Sequence, residues 1–179
     1  MKKNSELTYK EMYQQPASFQ AVNDTLDDIF KTLDQVFSGE KKYDELIFTG
    51  CGTSLYLAQA SAAAFSTYTG IPAKGVPCSE LYYFPETYVK EGRNVLILPT
   101  TRKSYTTEVR MAIDKVHTYP QVTTLAITCD KDSEKYNDYY ILSPDTDEDS
   151  VIMTRSFTSM LYMAVIMAMY VGDKKDEIE

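Results

Sequence analysis

The chain has 179 residues, with 18 Lys and Arg against 26 Asp and Glu, a formal charge of −8 and a pI near 4.7. That length suits one well-buried domain rather than two, and the acidic balance argues against nonspecific attraction to nucleic acid or to an anionic membrane. The three cysteines, Cys51, Cys78 and Cys129, and the single His117 show neither CxxC nor Cys-His spacing, so a zinc centre and a disulfide framework are poorly supported and no cofactor or metal is expected.

The opening residues, MKKNSELTYKEM, carry no apolar core behind their lysines, which does not fit a signal peptide and makes a cytoplasmic location the expectation. The segment through Gln15 is polar. After Pro16, residues Phe19, Val22, Leu26, Ile29, Phe30, Leu33 and Phe37 share one face, predicting a single amphipathic helix of about five to six turns. Ser38-Gly39-Glu40-Lys41-Lys42 closes it. Residues 1–40 therefore form a helical lead-in that packs on the domain or on a second copy, 41–172 the domain itself, and 173–179 a charged tail.

From Glu45 onward strands and helices alternate. Strands are predicted at Leu46 to Thr49, Ala73 to Val76, Val95 to Leu98, Thr123 to Thr128 and Tyr139 to Leu142. Helices are predicted at Ser54 to Thr69, Ser79 to Phe84, Tyr105 to Val116 and Thr154 to Tyr170. Short apolar strands separated by helices imply a parallel sheet covered on both faces, an α/β three-layer αβα sandwich. Ser143 to Ser150, SPDTDEDS, reads as an acidic surface loop. The longest apolar run, Met160 to Val171, has twelve residues, short of the roughly 20 needed to cross a bilayer. It reads as a buried helix, and its four methionines suit core packing or contacts between subunits.

The first strand ends abruptly at Gly50-Cys51-Gly52-Thr53-Ser54. A strand that stops at glycines and reopens as a helix directs free backbone N–H groups at one spot, here beside two hydroxyls, and that spot suits an anion. Pro99-Thr100-Thr101-Arg102-Lys103-Ser104-Tyr105-Thr106-Thr107-Glu108 repeats the device after the third strand, adding two cations where a helix start already favours negative charge. Two such loops in one small domain point to a phosphorylated small molecule. The bland alternatives are a tight turn with a helix cap and a solvated Arg-Lys pair. The first loop lacks the third glycine of the dinucleotide fingerprint and the chain has no GxxxxGK[ST], which sets NAD and ATP aside. Thr154 in EDSVIMTRSFTSM is expected to cap the last helix, either with its side chain or the nearby backbone facing the ligand or as a plain cap beside a surface Arg155. Cys51 as a nucleophile finds no neighbouring base, and packing is the better reading.

These elements, in this order, resemble the sugar isomerase (SIS) domain family. The resemblance is carried by GCGTS, the loop ending in TTEV, AITCDKDS and EDSVIMTRSFTSML, over about Gln15 to Gly172. It implies a flavodoxin-like five-stranded parallel sheet, with phosphate held by the first loop, Cys51, Gly52, Thr53 and Ser54, and by Thr101, Arg102, Lys103, Ser104 and Thr106. Val151 and Met153 fall where the family's chain touches the sugar. The family usually has Ser-x-Ser-Gly-Glu/Asp-Thr in the second loop, whereas Lys103 and Ser104 stand here for the second serine and the glycine.

In two-domain relatives a second similar domain supplies the catalytic glutamate, and this chain ends where that domain would begin. The expectation is either the first half of a longer ketose/aldose-phosphate isomerase, aminotransferase or deglycase acting on an (amino)sugar phosphate, or a short protein that completes its site by self-association as a homodimer or larger homo-oligomer. The alternative of another class is a noncatalytic module that senses a sugar phosphate or acts as a scaffold. Glu80, Glu108 and Glu148 are the acids near the loops, and none is assignable as the base that a C1–C2 proton shuttle needs.

Overall fold

A computed structural model describes residues 4–37, 39, 42–144 and 146–178. Five strands form one parallel sheet: β1 (Glu45–Gly50), β2 (Ala73–Pro77), β3 (Val95–Thr101), β4 (Val122–Thr128) and β5 (Tyr139–Leu142), in the order β2-β1-β3-β4-β5. This is the expected three-layer α/β architecture.

Neighbouring residues on a strand point to opposite faces, and the two cores follow that alternation. Leu46, Phe48, Leu96, Leu98, Leu125 and Ile127 face one side, where α2 (Gln15–Asn23), α3 (Leu26–Phe37), α4 (Thr53–Thr69) and α8 (Arg155–Val171) pack. Ile47, Val95 and Ile97 face the other, under α5 (Cys78–Tyr83), α6 (Pro85–Tyr88) and α7 (Thr107–Val116). Burial on both faces explains why the central strands read as unbroken apolar runs.

Two expectations need correction. The single first amphipathic helix is two helices, α2 and α3, because the Thr25 hydroxyl donates to the Val22 carbonyl at 2.9 Å while its own carbonyl accepts from Ile29 N–H at 3.1 Å, starting a new helix. The apolar face survives the break, since Val22, Ile29 and Leu33 are all buried. Within the helical lead-in, the polar opening segment forms α1 (Asn4–Tyr13). The helix predicted from Tyr105 starts at Thr107, after a turn in which Thr106 N–H and hydroxyl both address the Lys103 carbonyl. Core packing holds for Met160, Met163 and Met167, which are fully buried against this chain's own helices, while Met169 is half-buried.

Of the proposed helix-closing segment, Ser38, Glu40 and Lys41 lie outside the described residues, as do Asp145 of the acidic loop, Glu179 of the tail and the first three residues. Among the described residues no helix is long and apolar enough to cross a membrane.

Candidate functional site

The chain leaves β1 for β2 on one side and then returns to β3 on the other, so the order reverses between β1 and β3. In open parallel sheets the crevice beyond such a reversal is where ligands settle, because the two outgoing loops part there. The Gly50 to Ser54 junction and the Arg102 to Thr106 loop are those two loops.

Thr100 ties them together. It is wholly buried, and its hydroxyl lies 3.1 Å from the Thr49 carbonyl and 3.0 Å from the Ser54 carbonyl, so one β3 side chain grips both the end of β1 and the first turn of α4. Gly50 makes the close turn possible, since a Cβ there would sit 2.5 Å from the Ser54 carbonyl oxygen. Gly52 precedes α4 with φ of 55° and ψ of −125°, a conformation L side chains rarely adopt. The Cys51 carbonyl accepts the Ser54 N–H at 3.1 Å, and Gly52 and Thr53 stand exposed at the open end of the helix.

The third element closes on the first. The buried Ser54 hydroxyl lies 3.8 Å from the Met153 sulfur, bringing together two candidate residues 99 positions apart. Val151 is exposed.

The second loop is arranged differently from a simple phosphate cradle. Thr101 and Thr106 both donate to the Lys103 carbonyl, at 2.8 and 3.1 Å, and so shape the loop from within. Ser104 is buried and turned toward β4: its N–H donates to Asp130 Oδ2 at 2.9 Å and its hydroxyl pairs with that of Ser133 at 2.6 Å. The two cations meet acids of the 147–150 loop. Lys103 Nζ bonds Asp147, which holds the Lys103 pKa above its ordinary value. Arg102 donates to the Ser150 carbonyl at 3.0 Å and lies 3.7 Å from Glu148 Oε2.

Glu148 is the knot of this loop. Its side chain is wholly out of solvent; Oε1 accepts from Thr154 N–H at 2.7 Å and from the Thr154 hydroxyl, and Oε2 accepts from the Ser156 hydroxyl. Thr154 does stand at the start of α8, but its hydroxyl addresses Glu148 instead of capping the helix or facing a sugar. Glu80 is taken by the Tyr88 hydroxyl, and Glu108 lies exposed in the first turn of α7.

Glu11, on α1, was not legible in the sequence. Its buried Oε1 accepts Asp149 N–H at 2.8 Å and Ser150 N–H at 3.3 Å, so the first helix holds the loop that holds Arg102. Burial alone would raise its pKa, but the Ser150 and Asp149 bonds and the charge of Arg155 outweigh it and lower the value. A carboxylate depressed in the folded state stabilises above its unfolded pKa of about 4.3, and that contribution is lost as pH falls through the folded value. Glu11→Gln should therefore destabilise the protein at pH 7, with the gap from the parent closing below about pH 4. Urea midpoints measured from neutral to acid pH check this, and a gap independent of pH would refute it.

Residues 41–170 match the SIS domain family. Over 125 residues the chain is 26% identical to D-galactosamine-6-phosphate deaminase AgaS of Escherichia coli O157:H7, covering 65% of this chain and 33% of that protein. The chain thus spans about a third of the length of the curated relatives it matches. Among solved structures it is similar to tagatose-6-phosphate ketose/aldose isomerase from Escherichia coli, with a TM-score of 0.79 and 22% identity over 90% of this chain and 47% of that one. It is also similar to the C-terminal domain of glucosamine-fructose-6-phosphate aminotransferase from Francisella tularensis, with a TM-score of 0.80 and 19% identity over 97% of this chain and 49% of that one.

Proposed function

The chain belongs to the SIS domain family, and from that premise we propose that the crevice between β1 and β3 binds the phosphate of a sugar phosphate. The observation that carries this reading is the grip of Thr100 on both Thr49 and Ser54, which fixes the start of α4, with Gly52 and Thr53 exposed, at the carboxyl ends of β1 and β3. An anion there gains from the helix N-terminus and from the nearby cations.

Lys103 supplies the phosphate's second contact in this reading. Its ammonium and the Asp147 carboxylate both keep contact with solvent, so the pair is weak enough for a dianionic ester to compete with Asp147. Arg102, partnered by a fully buried carboxylate, stays with Glu148 and Ser150 and keeps the loop in place. Met153, lying on Ser54, is where the sugar carbons would enter.

The relatives named above act on amino-sugar and ketose phosphates, and the same class of ligand is proposed here, within an isomerase, deaminase, aminotransferase or deglycase whose base lies outside the residues assigned. Self-association belongs to this reading. Tyr56, Tyr105, Val151 and Ile152 are exposed on three elements around the crevice, and a second copy or domain covering them would also bring the missing base.

Calorimetric titration with glucosamine-6-phosphate, galactosamine-6-phosphate and fructose-6-phosphate tests the proposal. Binding is expected for at least one, with Ser54→Ala and Lys103→Ala each weakening it by about tenfold, the worth of one charge-assisted hydrogen bond. Affinity untouched by both substitutions would place the ligand elsewhere. Light scattering on the same samples should report a species larger than the monomer, and a monodisperse monomer at micromolar concentration would remove the association.

A further inference from the structure

Cys51 and Cys78 are 27 residues apart in number but adjacent in space. β1 and β2 pair in parallel with Gly50 opposite Pro77, and each strand's next residue is a cysteine. Residues facing each other across neighbouring strands lie about 5 Å apart, within the Cα separation that a disulfide spans. The Thr49 hydroxyl fixes one partner from below, donating to the Val76 carbonyl at 2.8 Å and lying 3.4 Å from Cys78 Sγ. Cys51 is half-buried at the crevice and Cys78 is buried at the start of α5.

We propose that Cys51 and Cys78 form a peroxide-sensitive dithiol that closes into a disulfide across the carboxyl ends of β1 and β2 and switches off anion binding at the start of α4. The regulatory half rests on the sugar-phosphate reading, while the dithiol itself does not. The neighbouring Cys78 favours the thiolate of Cys51 and lowers its pKa, against burial and Glu108, while Cys51 and burial push the Cys78 thiol up. Cys51 is therefore the attacking sulfur and Cys78 the resolving one.

The steps balance with hydrogen peroxide as the oxidant. The Cys51 thiolate attacks one peroxide oxygen, the O–O bond breaks, and a sulfenic acid and hydroxide result. Cys78 sulfur then attacks the sulfenic sulfur, forming the S–S bond; the departing hydroxide takes the Cys78 proton and leaves as water. Two thiols lose two electrons in all and one peroxide becomes two waters.

Closure acts on the site through Cys51. Its carbonyl receives the Ser54 N–H, and the residue lies between Gly50 and Gly52, the two positions that set the turn. Drawing its side chain onto Cys78 rotates that backbone and moves the exposed start of α4.

Peptide mapping after graded hydrogen peroxide tests the chemistry on the full chain. Lys74 lies between the two cysteines, so trypsin separates their peptides unless a disulfide joins them. A Cys51–Cys78 linked peptide within the monomer, with Cys129 still alkylated as a thiol, is expected. In Cys78→Ala the link should be replaced by a dimedone adduct at Cys51, an outcome that needs no folding inference because it reads one residue directly. Overoxidised Cys51 with no link, or links to Cys129 or between chains, would overturn the proposal. Titration with glucosamine-6-phosphate should then show binding about tenfold or more weaker in the linked protein and restored by dithiothreitol. Equal affinity in both states would overturn the regulatory half. A link that forms in a protein whose reduced state binds none of the three sugar phosphates leaves the dithiol standing and sinks the sugar-phosphate reading instead.

Discussion

Glu148→Ala should destabilise the protein by about 3 kcal/mol and free the loop over the crevice. The carboxylate is fully buried, and both of its oxygens are used by Thr154 and Ser156 at the start of α8. Arg102 adds its charge at 3.7 Å, and its side chain is only 21% exposed. Removing the acid leaves a mostly buried guanidinium without its counter-charge and three donors without their acceptor. The cost is placed at the low end of the range for breaking buried charge networks because Arg102 keeps the Ser150 carbonyl and some water. Glu148→Gln, which keeps an acceptor but turns an amide N–H toward one of the donors, should fall between parent and alanine variant. Urea unfolding measures both, and an alanine variant within about 0.5 kcal/mol of the parent would show that the network contributes nothing net. Sugar-phosphate affinity should fall as well, because Arg102 and the 147–150 loop would lose their mutual anchor.

Gly50→Ala is the second large effect, and its origin is collision. The added methyl would stand 2.5 Å from the Ser54 carbonyl oxygen and 2.6 Å from its carbon, both backbone atoms that cannot swing aside. Either β1 or the first turn of α4 must move, which costs about 2 kcal/mol or more by the measure of overpacked cores and lowers the melting temperature by about 4–8 °C at this chain length. The same movement takes the Ser54 carbonyl off Thr100, so affinity is expected to drop further than in Ser54→Ala. Gly52→Ala is the informative contrast: nothing lies within 4 Å of its new methyl, and only the φ of 55° resists it. A Gly50→Ala protein with parental melting temperature and affinity would mean that the junction is looser than its contacts imply.

Much of the fold was legible because its signals are local. Strands such as Leu46 to Thr49 and Val95 to Leu98 are continuous apolar runs bounded by turn residues, and α8 is too apolar to be anything but covered. The break between α2 and α3 was not legible, because a threonine hydroxyl turning to the carbonyl three residues back leaves the apolar spacing intact. Likewise, Ser104 reads as a loop serine beside two cations, and only Asp130 and Ser133, supplied by the turn after β4, decide that it faces away from them. Glu11 carries no periodic or motif signal; its role exists only because α1 lies across the 149–150 loop.

By itself the sequence determined a parallel α/β sandwich and which two strand-to-helix junctions hold hydroxyls and cations, since side-chain period and turn chemistry act between residues a few positions apart. Tertiary structure decided what those junctions touch. Thr100 reaches Ser54 across 46 residues, Ser54 meets Met153 across 99, and Glu11 meets Asp149 across 138. Such pairings depend on how strand order and helix placement close the chain, and the same closure sets Lys103 against Asp147 and Cys51 beside Cys78.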